Sequence, residues 1–188
     1  MPIRPSRVVV HIGNVGLSLE GRSAAQETEH EARRNPRDRF IGIDRKEHVP
    51  ALPNWSQRTG ELLEKINELA DGSIDEFSSR MTIPYVAFRT MKNLGELKDY
   101  NRSVIALIYR KLRSGGKLEI MVHEGRPMKI SGIQSARDIM ADVLHNSGFR
   151  NVVVRRVPGK VAGRKSQSAS RILEAAADVR FYKFVAEK

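Results

Sequence analysis

The chain of 188 residues contains no cysteine, and aromatic residues make up only 6% of it. Without cysteine there can be no disulfide, no thiolate nucleophile and no cysteine-based zinc site. No apolar run approaches the roughly 18 residues that a membrane span needs. The apolar stretch near the start is also too short for the core of a signal peptide. We therefore expect a cytoplasmic protein that does not contact a membrane.

Several common catalytic patterns are also absent. The five histidines are scattered along the chain, and no pair has the spacing of metal ligands. No G-x-S-x-G segment supports a serine hydrolase, and no G-x-G-x-x-G segment supports a nicotinamide-dependent reductase. We expect no metal site.

Acidic residues are scarce in the C-terminal half. Residues 1–101 carry 15 basic and 15 acidic residues, whereas residues 102–188 carry 18 basic and 7 acidic ones, which accounts for the net charge of +11. Such a field favours a nucleic acid or an acidic partner, although a merely solvated basic surface would look the same. The residues that would make these contacts are Arg155, Arg156, Lys160, Arg164, Lys165 and Arg171.

Apolar β-branched runs alternate with segments of helical periodicity, which predicts an α/β fold with a mostly parallel sheet. We predict a single domain over residues 1–188. The predicted strands are Arg7–Ile12, Arg39–Ile43, Ala51–Trp55, Ser73–Ser79, Lys117–Val122, Phe149–Val157 and Arg180–Ala186. The predicted helices are Arg22–Arg34, Glu61–Leu69, Leu97–Leu112 (ending at Ser114-Gly115-Gly116), Ile133–Asn146 and Ser170–Ala177.

A glycine turn follows the first predicted strand, and an acid follows the second. Gly13-Asn14-Val15-Gly16 has the small residues that let a backbone approach a nucleotide or nucleoside, but a structural strand-to-helix turn has the same pattern. Asp44 stands where an acid can accept hydrogen bonds from ribose hydroxyls. It could equally cap the turn that follows it.

Three further segments carry a family resemblance: Ala70–Ser79 (ADGSIDEFSS), Leu112–Val122 (LRSGGKLEIMV) and Ser147–Val154 (SGFRNVVV). Together with the glycine turn and Asp44, they make the chain similar to class I S-adenosylmethionine-dependent methyltransferases. The resemblance implies a Rossmann-like three-layer sandwich with a seven-stranded, mostly parallel sheet and an antiparallel last strand. It also implies S-adenosylmethionine as cofactor and methyl transfer as activity.

The resemblance assigns cofactor roles to particular residues of this chain. The glycine turn would approach the methionine part, Asp44 would bind the ribose, Glu61 would lie near the adenine, and Arg80 would border the cofactor and the substrate mouth. The full candidate set is His11, Gly13, Asn14, Gly16, Asp44, Glu61 and Arg80. His11 stands where the family usually has an acid, and Val15 and Leu17 replace two of its glycines. These departures keep open a non-catalytic binding module that contacts RNA or an acidic partner, and neither the methyl acceptor nor a catalytic base is predicted.

Overall fold

A computed structural model of the chain describes residues 6–13, 24–80, 82–83, 93–124, 135–157 and 180–188. These residues form one seven-stranded sheet with helices on both faces. The strands are β1 (Val8–Ile12), β2 (Arg39–Asp44), β3 (Trp55–Thr59), β4 (Ile74–Arg80), β5 (Leu112–Glu124), β6 (Arg150–Val157) and β7 (Arg180–Glu187). The helices are α1 (Ala24–Arg34), α2 (Leu62–Asn67), α3 (Leu94–Lys111) and α4 (Ala136–His145).

The sheet combines a parallel part with an antiparallel end. Its strand order is β3-β2-β1-β4-β5-β7-β6. Neighbouring strands from β3 to β5 run parallel, whereas β7 runs antiparallel to both β5 and β6. The prediction of a mostly parallel, seven-stranded sheet with an antiparallel last strand is therefore confirmed.

The two faces of the sheet are covered unequally. Helices α2, α3 and α4 pack on one face and bury the larger apolar core, in which the helical spacing of Val104, Ile105 and Ile108 on α3 presents one continuous stripe. Of the four described helices, α1 alone packs on the other face, where Ala25 and Ala32 contact a smaller apolar cluster. None of these helices is long and apolar enough to cross a membrane.

Several predicted boundaries differ from the structure, and two of these differences have a clear local reason. Strand β3 starts at Trp55, where the predicted strand ended, because the segment before it contains Pro50 and Pro53, which lack the amide hydrogen that a ladder needs. Helix α3 ends at Lys111, before the predicted glycine stop, because the backbone of Leu112 is already extended and pairs with β4. The predicted helix Ser170–Ala177 lies outside the described residues.

A buried lysine closes the turn between α2 and β4. Lys111 Nζ donates hydrogen bonds to the carbonyl oxygens of Asn67 (2.9 Å) and Leu69 (2.5 Å) and to Asp71 Oδ1 (2.7 Å). Its side chain is only 4% exposed, although Asp71 remains open to solvent. Since a buried ammonium needs all its donors satisfied, this arrangement fixes the last turn of α3 against the amino end of β4.

We expect Lys111→Met to lower the free energy of unfolding by about 2–4 kcal/mol, because it leaves two carbonyl oxygens without their donor. Urea denaturation measures the change. Lys98→Met is the matched control, since Lys98 forms a more exposed ion pair with Asp142 (3.3 Å) and should cost less than about 1 kcal/mol. Equal losses for the two variants would contradict this role of Lys111.

Candidate functional site

Three neighbouring parallel strands bring the candidate residues to one edge of the sheet. In the ladder, Ile12 of β1 lies opposite Ile43 of β2 and Ser79 of β4. The residues that come next, Gly13, Asp44 and Arg80, therefore emerge together at the carboxyl edge. This is the edge at which open α/β sheets bind their ligands.

Gly13 begins the turn after β1 and needs to be glycine for two reasons. Its φ of 75° lies in the left-handed region, and a Cβ at this position would overlap the hydroxyl of Thr82 and lie 2.8 Å from Thr82 Cβ. The amide of Gly13 donates to the carbonyl oxygen of Ile43 (2.8 Å), which ties the turn to β2. Packing against Thr82 alone thus requires a glycine here, with or without a ligand.

Asp44, the last residue of β2, is half-buried and held from two sides. Its Oδ1 accepts a hydrogen bond from the amide of Lys46 (2.9 Å), and its carbonyl oxygen accepts one from Gly60 (3.0 Å). The first bond orients the carboxylate within the turn after β2. The structure thus confirms that the side chain of Asp44 caps its own turn, and it places Asp44 at the carboxyl edge of the sheet, where ribose binding stays a prediction.

Glu61 lies beside this acid at the start of α2. Its Oε2 is 2.9 Å from Arg45 Nη2, and both side chains are more than half exposed. Tyr100 on α3 lies close to this pair: burial raises the pKa of its hydroxyl, and the charge of Glu61 raises the pKa further. The structure brings Glu61 to the same edge as Asp44, and Glu61 already forms an ion pair with Arg45 there.

His11 points from β1 to the face of the sheet that α1 covers. Its side chain is buried, its ring centroid lies 6.1 Å from that of Phe40, and its Nε2 lies 3.5 Å from Glu31 Oε2, at the outer limit of a hydrogen bond. Burial, reinforced by the positive charge of Arg80, lowers the pKa of His11 to about 3. The imidazole is therefore neutral at pH 7.

Arg80, at the end of β4, forms an ion pair with Glu27 on helix α1. With His11 and Glu31 these residues form an electrostatic cluster between the sheet and α1. Glu27 and Glu31 were missed by the sequence analysis, although their spacing of four residues places them on one face of a helix. The cluster therefore contains two acids, a neutral imidazole and one arginine. Burial also raises the pKa of Glu31.

Some candidate residues cannot be placed. Asn14 and Gly16 lie outside the described residues, as do Lys160, Arg164, Lys165 and Arg171 of the basic set. Arg155 and Arg156 are exposed on β6, far from the glycine turn in the strand order. Within the part of the chain that the structure describes, no group of acids and histidines could hold a metal ion.

The chain is similar in fold to solved structures of several methyltransferases. The chain resembles phosphoethanolamine N-methyltransferase 2 of Haemonchus contortus (TM-score 0.62, 17% identity), covering 100% of this chain and 50% of that one. A S-adenosylmethionine-dependent methyltransferase from Archaeoglobus fulgidus gives 0.61 at 13% identity, covering 99% and 88%. The 16S rRNA (adenine(1408)-N(1))-methyltransferase from Catenulisporales acidiphilia gives 0.59 at 20%, covering 98% and 88%.

The fold is therefore that of the class I S-adenosylmethionine-dependent methyltransferases, as the sequence motifs indicated. The chain spans half the length of the Haemonchus enzyme that it resembles. No protein-family model and no curated protein matches its sequence.

The buried state of His11 predicts a pH effect on stability. Because its pKa is about 3 when folded and near 6.5 when unfolded, the unfolded chain binds more protons in between. The free energy of unfolding therefore does not depend on His11 titration above pH 6.5. Between pH 6.5 and 3 it falls as the pH falls, by up to about 1.4 kcal/mol per pH unit.

Urea denaturation of the wild type and of His11→Gln between pH 7 and 4.5 isolates this effect. We expect the wild type to lose stability relative to the variant as the pH falls, since glutamine does not titrate. His145→Gln is the control, because His145 is exposed at the end of α4. Parallel stability curves for the wild type and His11→Gln would mean that His11 takes up its proton equally in the folded and the unfolded chain, which would contradict the lowered pKa.

The contact between Gly13 and Thr82 predicts a coupled pair of substitutions. Gly13→Ala should cost more than about 2 kcal/mol, because left-handed strain of roughly 1–2 kcal/mol adds to the overlap with Thr82. In a Thr82→Gly background only the strain remains, so the same change should cost about 1–2 kcal/mol. A double-mutant cycle by urea denaturation measures this coupling, and additive costs would show that the two residues are not in contact.

Proposed function

We propose that the chain is a methyltransferase that binds S-adenosylmethionine at the carboxyl edge of β2, β1 and β4. The observation that carries the proposal is the pairing of Asp44, fixed at the end of β2, with the left-handed Gly13 turn at the end of β1, in a fold shared with enzymes of that class. A carboxylate at this position suits a ribose diol, because it can accept hydrogen bonds from both hydroxyls.

The described residues fit the nucleoside end of this cofactor. The amide of Lys46 holds the carboxylate of Asp44 in place, so a ribose would meet an acceptor that is already oriented. Arg45 and Glu61 neutralise each other beside it and would border the adenine without an unpaired charge. When bound, S-adenosylmethionine supplies a methyl group on a sulfonium, which is already a good leaving centre.

The chain's own contribution would then be mainly to bind the cofactor and the methyl acceptor and to orient them toward each other. Holding donor and acceptor in line converts the transfer into an effectively unimolecular step. The ion pair between Arg80 and Glu27 joins β4 to α1 next to this edge and would keep its border rigid. Two of the structural neighbours are named as methyltransferases of phosphoethanolamine and of an rRNA adenine. These acceptors differ so much that the fold alone carries neither of them to this chain.

A second candidate function is a non-catalytic binding module with the same fold. The observation that favours it is His11, which occupies the position of an acid in the resembling family and is buried and neutral instead. This hypothesis predicts an intact fold that fails to bind the cofactor. Cofactor binding therefore distinguishes the two candidates.

We expect S-adenosylhomocysteine, the demethylated product, to bind with a micromolar dissociation constant in isothermal titration calorimetry. Asp44→Ala should weaken binding by about 1.5–3 kcal/mol, because it removes charge-assisted hydrogen bonds to the ribose. Asp99→Ala is the control, since Asp99 is an exposed acid on α3 whose partner is Arg102, and it should leave binding unchanged.

Failure of the folded wild type to bind at millimolar ligand would overturn the methyltransferase proposal and favour the non-catalytic module. Tight binding that Asp44→Ala does not weaken would show that the ribose lies elsewhere.

A further inference from the structure

Strand β6 forms one edge of the sheet. Its inner side pairs with β7, and no other strand of the described chain lies beyond it. The backbone groups on its outer side are therefore not part of any described ladder. An edge of this kind is a template on which an extended peptide can add as a further strand.

The regular part of this edge begins with two valines that leave apolar surface on both faces of the sheet. Val153 and Val154 lie opposite Val185 and Phe184 of β7, and because they are consecutive they point to opposite faces. Each is 41% exposed, which is unusual for valine next to a packed strand. An added strand would cover both side chains at once.

The same edge carries positive charge that the described chain does not neutralise. Arg155 lies directly opposite Lys183, and Arg156 lies opposite Tyr182. Lys183 has a carboxylate partner, Glu119, at 2.7 Å, whereas among the described residues neither Arg155 nor Arg156 is within salt-bridge distance of an acid. Like charges opposite each other destabilise a sheet, so an acidic neighbour would relieve a cost that the isolated chain bears.

A bulge blocks only the start of this edge. Asn151 has a φ of 51°, and the pairing with β7 shifts register between Arg150 and Val153. Bulges and charged residues are the usual protection of an exposed edge. Here the bulge ends at Val153, and from there to Val157 the pairing with β7 is continuous, so a regular segment stays available.

We propose that the outer edge of Val153–Val157 binds an extended acidic segment of a partner protein, which adds as an eighth strand. The partner's backbone pairs with the free edge, its apolar side chains cover Val153 and Val154, and its carboxylates lie against Arg155 and Arg156. A second copy of this chain fits less well, because pairing β6 with itself brings the same arginines together. RNA fits less well too, because it cannot pair with the strand edge as a further strand would and does not need the exposed valines. Strand β6 also has no aromatic residue that could stack with a base.

The test uses the full chain and a fluorescein-labelled peptide in which pairs of Val alternate with pairs of Glu, so that each face of the added strand carries both an apolar and an acidic side chain. We expect saturable binding by fluorescence anisotropy, with the amide NMR signals of Val153–Val157 shifting most. The same peptide with alternate amide nitrogens methylated should bind at least about tenfold more weakly, because it cannot complete the ladder. This peptide control isolates strand pairing from simple charge attraction.

The variant Arg155→Glu with Arg156→Glu should weaken binding at least about tenfold. Arg34→Glu with Arg37→Glu makes the same charge change at exposed positions beside β2, on the other side of the sheet, and should bind like the wild type. Equal weakening by both double variants, or equal binding of the methylated peptide, would overturn the proposal.

Two alternative occupants have their own readouts. Binding of poly(U) RNA through Arg155 and Arg156, with no binding of the peptide, would identify a nucleic-acid surface and overturn the proposal. A dimer of the chain alone that the same double variant dissociates, detected by sedimentation velocity, would overturn it as well. Neither outcome bears on S-adenosylhomocysteine binding, so this proposal and the methyltransferase proposal can fail separately.

Discussion

The position of β1 between β2 and β4 determines what the carboxyl edge of the sheet can do. Its parallel register with both neighbours aligns the ends of three strands, so Gly13, Asp44 and Arg80 emerge together although they are far apart in the chain. The apolar, fully buried side chains of Val9 and Val10 allow this central position, because only such a strand can be covered on both faces. A shift of one residue would exchange the faces of β1 and remove His11 from α1.

Charged contacts with α1 also hold the carboxyl edge of the sheet in place. Arg80 and Glu27 join β4 to α1, and His11 packs beneath the same helix, neutral because it is buried. These contacts adjoin the proposed cofactor site, and the cofactor roles of His11 and Arg80 stay predictions. The basic edge at β6 lies further away, separated from β4 by β5 and β7. Cofactor binding and partner binding are thus proposed for two separate parts of one sheet.

The sequence predicts most of the strands and a mostly parallel sheet, because these depend on local patterns. Continuous apolar runs identify β1 and β2, and family motifs indicate the antiparallel last strand. The contacts of the site cannot be predicted in this way. The close packing of Thr82 against Gly13 and the approach of Glu31 to His11 join residues distant in the chain, and no residue pattern contains that information. The predicted start of β3 is wrong because Pro50 and Pro53 lack the amide hydrogen that a ladder needs, so that the pairing with β2 begins only at Trp55.

An NMR titration of the labelled chain with S-adenosylhomocysteine tests directly whether the cofactor binds at the carboxyl edge of β2, β1 and β4, because it reports which residues contact the ligand. We expect saturable shifts of the amide signals of Gly13, Asp44 and Gly60, which flank the proposed ribose position, while those of Val153–Val157 stay unchanged. Saturable shifts confined to other parts of the chain, or no shifts at millimolar ligand, would contradict cofactor binding at this edge.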